Sequence, residues 1–196
     1  MELHPDSSWY AWHGWNGRLF LAINHAGDNP VWNSAARLGT ALGDHHLLPV
    51  YLGLMLTLAM RWPRLVPLPN VLVYAWANLL LFISIYAILK PWADFPRPLA
   101  VFGTQMVHVL GEPKFTHSFP SGHAAFASVL ATTLALSSSR RWGMVLALFA
   151  IWVAWSRIAV GAHFPADVVG GLLVGFLCTL AAYGLSGFWI RGAKSA

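Results

Sequence analysis

Residues 90–98, 120–123 and 156–167 combine lysine, arginine, serine, glycine, histidine and aspartate in a pattern suited to phosphoryl transfer. Lys90 stands seven positions before Arg97, Pro120 leads into Ser121-Gly122-His123, and Ser156-Arg157 is followed by His163 and, four positions later, Asp167. A phosphoryl group in transfer spreads negative charge over its oxygens, so catalysis consists largely of positioning and of stabilisation by cations and N–H donors. Lys90, Arg97 and Arg157 supply cations. Arginine grips phosphate oxygens as a fork, whereas lysine acts as a point charge. Pro120 ahead of an apolar run predicts a first-turn proline that leaves the N–H groups of Ser121 and Gly122 free at the positive end of a helix. The Ser121 hydroxyl adds a donor, and Gly122 lets the backbone approach a ligand closely.

Histidine has the basicity of a nucleophile or general acid near neutral pH. A helix starting near Pro165 would carry Asp167 in its first turn, within reach of His163. Such a carboxylate fixes the imidazole tautomer and stabilises the imidazolium. His163 is therefore the candidate nucleophile, and His123 the candidate acid that protonates the leaving oxygen. Alone, each motif has an ordinary explanation: an interfacial cation, a local hydrogen-bonded pair, a helix cap. Their joint occurrence beside apolar runs favours function.

In this order and spacing the three motifs resemble the tripartite signature of the phosphatidic acid phosphatase type 2 superfamily, membrane lipid phosphatases that share a site with vanadium haloperoxidases. The resemblance covers roughly residues 70–185. It implies hydrolysis without metal or other cofactor, through a phosphohistidine on His163 with His123 as acid. Lys90, Arg97, Ser121, Gly122 and Arg157 would then bind the phosphate.

The elements that must position these residues are apolar. Of the 196 residues 57% are hydrophobic and only 10% are charged, which excludes an ordinary soluble domain and fits one membrane domain. A bilayer core about 30 Å thick needs about 20 mainly apolar residues per helix. Residues 46–60, 70–89, 124–136, 142–160 and 168–190 qualify, the shorter ones with help from their flanks. The fold class is all-α, a polytopic bundle of five to six spans over residues 46–196 with antiparallel neighbours joined by short turns. Trp62, Trp92, Trp142 and Trp189 stand near span ends, where indoles favour the headgroups, and Gly170, Gly171 and Gly175 permit close helix packing. Residues 1–45 read as an interfacial amphipathic segment anchored by Trp9, Trp12, Trp15 and Trp32, with no cleavable signal peptide in view. Cys178 is a small apolar residue within a span.

Charge sets the orientation. Arg61, Arg64, Arg140, Arg141, Arg191 and Lys194 share one face of this arrangement, while all seven acids and the three motifs share the other. Basic loops stay in the cytoplasm, so the motif face points to the periplasm or exterior of a bacterial inner membrane. The net charge of +5 does not signal nucleic acid, because the cations form no stripe with interleaved aromatics. The partners expected are the bilayer and a membrane lipid phosphate. Short loops and a small bundle resemble the bacterial members of that superfamily that recycle undecaprenyl diphosphate, which implies this lipid as the favoured substrate; phosphatidylglycerol phosphate, phosphatidate and lipid A phosphates, handled by relatives with the same motifs, are the alternatives.

Three readings compete. A metal hydrolase could use His117, His123, His163 and Asp167, but this would leave Lys90, Arg97 and Arg157 unemployed. A lipid-phosphate binder or transporter needs no nucleophile, so the His163–Asp167 spacing speaks against it. A vanadate-dependent peroxidase is disfavoured by the spans. Asp44, His45 and His46 read as interfacial, His117 as a solvated loop histidine beside the second motif, and Asp94, Glu112 and Lys114 as loop residues whose part in substrate entry the sequence leaves open.

Overall fold

Prolines mark where the helices begin. In the computed structural model, which describes residues 14–27, 29–136 and 140–192, α1 (Trp15–His25) is followed by α2 (Pro30–Leu42), α3 (Leu48–Arg61) and α4 (Leu68–Phe82). The short helices α5 (Lys90–Ala93) and α6 (Pro98–Phe102) come next, then α7 (Gly122–Ala135), α8 (Arg140–Ala159) and α9 (Pro165–Gly192). Proline occupies one of the first two positions in α2, α3, α4, α5 and α6, and opens α9. Its missing N–H is one that a helix start would leave unpaired in any case. Asn29 caps α2 by accepting the Trp32 N–H at 2.9 Å.

The architecture is all-helical, and α7 is its axis. Residues Ala124 to Ala131 of α7 are buried without a break, between α4, α8 and α9. One apolar core joins α3, α4, α7 and α9 around Met55, Tyr74, Phe126 and Ala182; a second, under the chemistry-bearing loops, gathers Phe20, Leu99, Ala154, Phe164 and Val168. Polar side chains add fixed ties. The Asn70 amide donates to the Thr133 carbonyl at 2.9 Å, and the Ser128 hydroxyl to the Leu172 carbonyl at 2.8 Å.

Outward faces remain apolar. Leu72, Trp76, Leu79 and Phe82 recur at helical spacing on α4, and Leu173, Phe176, Leu177 and Leu180 on α9, all exposed. Continuous apolar stripes of this kind suit hydrocarbon as the surrounding solvent. Leu68–Phe102, Arg141–Ala159 and Pro165–Ser186 are long and apolar enough to cross a bilayer, and Gly122–Ala135 is apolar but shorter. All five apolar stretches of the sequence thus become helices, with three spans assigned by length alone. The shortness of α7 has a local cause, since the chain must turn at Ser121 to build the motif loop. Trp62, Trp92 and Trp142 are exposed at helix ends, while Trp9, Trp12 and Lys194 lie outside the described residues.

The amino-terminal helices pack on this bundle. Trp32 of α2 meets Trp155 of α8 edge-on at 4.8 Å, and Phe20 of α1 is wholly buried against Phe102 and Phe164. Buried Asn24 donates to the carbonyls of His108 and Ala159 and accepts the His108 N–H, while Asn16 accepts the Ala166 N–H at 3.0 Å. The helix α1 thereby clamps both sides of the His163 loop.

Where α9 crosses α7 the backbones nearly touch. A Cβ on Gly171 would overlap the Ser121 carbonyl oxygen, and one on Gly175 the Ala125 carbonyl oxygen. Backbone atoms cannot swing aside, so Gly175→Ala should cost roughly 1–3 kcal/mol of stability as overpacking does elsewhere. Gly53→Ala in α3, with open space around its Cβ, should leave the protein as stable as wild type or slightly more so. Thermal midpoints of the two variants in detergent check this pair.

Candidate active site

All eight residues singled out for chemistry collect at one end of the bundle, each at the end of an element. Lys90 follows a π-helical turn, Ile83–Leu89, that ends the long α4 run. Such turns re-aim the helix they interrupt. Arg97 caps α6, Ser121 caps α7 with Gly122 and His123 in its first turn, Arg157 sits in the last turn of α8, and Asp167 lies in the first turn of α9. His163 occupies the loop between α8 and α9, its N–H bonded to the Arg157 carbonyl at 3.2 Å.

Asp167 is fully buried and organises its neighbours. Its Oδ2 accepts the Ser118 hydroxyl and the Phe164 N–H, the latter at 2.8 Å, and lies 3.4 Å from His163 Nδ1. Its backbone carbonyl accepts the Ser121 N–H at 2.9 Å. This last bond corrects one sequence expectation. Held by Asp167, Ser121 stays extended (ψ 113°) as the cap, so α7 starts at Gly122 and Pro120 lies outside it. The donors left at the helix start are the Gly122 and His123 N–H groups, which have no acceptor within α7, and the Ser121 hydroxyl.

His163 is 2% exposed, and its two nitrogens face different partners. Nε2 lies 3.3 Å from Arg97 Nη1, which can only donate, so Nε2 carries the lone pair and Nδ1 the proton. Nδ1 lies 3.4 Å from Asp167 Oδ2 without making a hydrogen bond, so the carboxylate acts on the ring through its charge. Burial above all, then the charges of Arg97, Arg157, Lys90 and His123, holds the imidazole well below its ordinary pKa. A neutral ring with an in-plane lone pair beside cations has the form of a nucleophile.

Carbonyl oxygens and a hydroxyl steady the cations. Lys90 Nζ donates to the His117 carbonyl at 2.8 Å. Arg97 donates to the Thr116 and Ala162 carbonyls at 2.9 Å each and to that of His117 at 3.4 Å. Arg157 Nη1 donates to Thr40 Oγ1 at 3.2 Å, and Thr40 also contacts the Ser156 hydroxyl. These partners fix direction without cancelling charge. At the site three buried atoms, Ser121 Oγ, Arg157 Nε and His163 Nδ1, have no hydrogen-bond partner in the protein. The first two, beside cations at a helix terminus, fit an anion.

The loop geometry explains the converging carbonyls. His117 adopts a left-handed conformation (φ 55°), as does Asp94 (φ 35°), and His117 Nδ1 pairs with Asp94 at 2.7 Å. The strained turn aims the His117 carbonyl at Lys90 and Arg97. The four-residue metal set does not form. Among the described residues only Asp44, His45 and His46 bring such atoms close together, and there Asp44 Oδ1 already accepts the His46 N–H and ring nitrogen.

Two cavities flank the site. A polar one of about 190 Å³ is lined by Thr40, Asp44, Lys114, His123 and Arg157; an apolar groove of about 300 Å³ between α3 and α4 is lined by Leu48, Leu79, Phe82, Ile85 and Tyr86, and ends at His45 and Gly122. A Cβ on Gly122 would lie 3.1 Å from the Tyr86 hydroxyl, so glycine keeps that junction open. Sequence reasoning missed Ser118 and Thr40 and left Asp44 at the interface. Ser118 carries a signal, since it stands beside the Pro120 motif, but Thr40 and Asp44 lie outside all three motifs.

A family model described as the PAP2 superfamily matches residues 70–191, more than half of the chain and all three motifs. The chain belongs to the PAP2 superfamily. It is 47% identical across 66 residues to an undecaprenyl-diphosphatase of Sulfolobus acidocaldarius and 37% identical across 82 residues to the undecaprenyl-diphosphatase BcrC of Bacillus subtilis. These alignments span 33% and 42% of this chain but only 32% and 40% of those relatives. The crystal structure of Aquifex aeolicus LpxE superposes with a TM-score of 0.71 at 28% identity, covering 93% of this chain and 99% of that one. Other PAP2 relatives bear the names lipid A 1-phosphatase and phosphatidylglycerophosphatase.

Proton linkage gives a test of the buried imidazole. The unfolded chain takes up a proton at His163 near the ordinary value of 6.5, before the folded protein does. Stability from the neutral ring is therefore complete above about pH 6.5 and is lost as pH falls from there toward the folded value. The thermal midpoint should decline between pH 6.5 and 5 more steeply in wild type than in His163→Gln.

Proposed function

We propose that this chain is an integral-membrane lipid phosphatase that hydrolyses a lipid phosphate or diphosphate through a phosphohistidine, without metal. The observation that carries the reading is the pair of environments around His163: a lone pair on Nε2 among cations and unpartnered donors, and the buried Asp167 carboxylate 3.4 Å from Nδ1. The substrate phosphate sits against Lys90, Arg97, Arg157, Ser121 and the Gly122 N–H. His163 Nε2 attacks the terminal phosphorus, the bond to the leaving oxygen breaks (that of the lipid alcohol in a monophosphate, that of the lipid phosphate in a diphosphate), and His123 gives that oxygen its proton. Water then attacks the phosphohistidine and returns a proton to His123, releasing inorganic phosphate and neutral His163. Asp167 offsets the positive charge that the ring gains in between.

The apolar groove ending at Gly122 suits a hydrocarbon tail, because a phosphate at the helix start has the groove mouth beside it. Undecaprenyl diphosphate, converted to undecaprenyl phosphate, is the favoured substrate. Its support is the similarity to two undecaprenyl-diphosphatases, over 66 and 82 residues. The runner-up is a lipid A phosphate, supported by a Rhizobium etli lipid A 1-phosphatase, 40% identical over 58 residues. The active site faces the periplasm of a bacterial inner membrane. Arg61 at the end of α3 and Arg141 at the start of α8 support this, both lying at helix ends remote from the site. The helices α1 and α2 rest at the membrane interface, where exposed Trp15, Leu19, Val31 and Leu38 meet the headgroup region.

The deciding assay is phosphate release by purified protein, with chelator throughout, from undecaprenyl diphosphate, phosphatidylglycerol phosphate, phosphatidate and a lipid A phosphate. Release from at least one lipid is expected. Silence with intact lipid binding points instead to a binder. His163→Ala should abolish turnover and the acid-labile phosphoenzyme while leaving substrate binding within a few-fold, and His123→Ala should slow turnover by roughly 10²–10⁴. A phosphoenzyme that survives in His163→Ala excludes this nucleophile.

A further inference from the structure

The family match begins at residue 70, yet a carboxylate from well before it reaches the site. Asp44 ends the turn after α2 and caps the short helical turn His45–Leu47. Its Oδ1 accepts the His46 N–H at 2.9 Å and faces His46 Nδ1 at 2.8 Å, which locks the side chain. Its Oδ2 points the other way, to His123 Nε2 at 3.8 Å. That separation is an ion pair and not a hydrogen bond, so the contact acts through charge.

His123 needs such a partner. A general acid must hold its proton until the leaving oxygen departs, yet burial above all, then the charges of Arg157 from α8, His45 beside Asp44 and Lys114 from the motif loop, push the His123 imidazole down to about 3 in the empty site. Asp44 is the anion that opposes this shift. Its own carboxyl lies below the ordinary value: burial pulls it up, but the His46 N–H, the charge of His123 and the His46 ring outweigh burial. It is therefore charged at neutral pH.

We propose that Asp44 is a positioning residue for the acid, its charge favouring the His123 imidazolium against burial and the surrounding cations and holding the ring beside the leaving oxygen. The site then has two histidine–carboxylate pairs, one for each half of the reaction: Asp167 supports the nucleophile and Asp44 supports the proton donor. This rests on the assignment of His123 as acid.

Asp44→Asn tests it, because asparagine keeps an oxygen for the His46 N–H and removes only the charge. Asp44→Ser is a second charge-free variant that can cap the turn, in case the first fails to fold. Turnover should fall about ten- to a hundred-fold with KM changed less than about two-fold, a part of what a general acid contributes. The alkaline limb of the kcat profile should move to lower pH, since His123 would lose its proton sooner. Asp44→Glu should restore part of both. In a His123→Ala background, Asp44→Asn should cause no further loss, because the two act as one unit. A wild-type alkaline limb in both charge-free variants, or a loss that adds fully to that of His123→Ala, overturns the inference. Wild-type turnover in His123→Ala alone overturns the acid assignment itself, and the two failures are thereby told apart.

Discussion

The buried carboxylate of Asp167 is the constraint on which the site depends. An anion taken fully out of water is costly unless donors and cations surround it, and each group that meets this need here also sets a piece of the geometry. The Ser118 hydroxyl fixes the loop before Pro120, the Phe164 N–H closes the His163 turn, and the His163 ring is drawn toward the same oxygen. The Asp167 carbonyl holds Ser121 in the extended conformation that starts α7. Two motifs far apart in sequence are joined through one residue.

Around that anion the protein gathers three cations in space too tight to be neutral when empty. Lys90, Arg97 and Arg157 are aimed by carbonyls and a hydroxyl, which direct a cation without neutralising it. An anion bound among these like charges would relieve their mutual repulsion. Burial above all, with the same charges adding to it, keeps His163 neutral.

The bundle brings the helix ends together. The start of α7 lies against α9 because Gly171 and Gly175 leave room for the Ser121 and Ala125 carbonyls, and a side chain at either position would push the phosphate turn away from Asp167. On the opposite flank, α1 holds the His163 loop through Asn16 and Asn24, and α2 brings Thr40 to Arg157. The amino-terminal helices thus build part of the site although the family match does not include them.

The sequence by itself determined the helical class, the five apolar helices and the motif residues. Apolar runs of bilayer length, prolines at helix starts and the spacing of His163 and Asp167 are local properties, legible wherever they stand in a chain. The start of α7 was misjudged by two residues, since the bond from Ser121 to the Asp167 carbonyl spans 46 positions and leaves no trace in the local pattern. Only the tertiary structure decided that His163 turns its lone pair to Arg97, that Ser121 Oγ and Arg157 Nε lack partners, and that Asp44 faces His123 and not solvent alone. Those outcomes depend on which helix ends meet, and helix packing is set by contacts between distant residues that no spacing along the chain records.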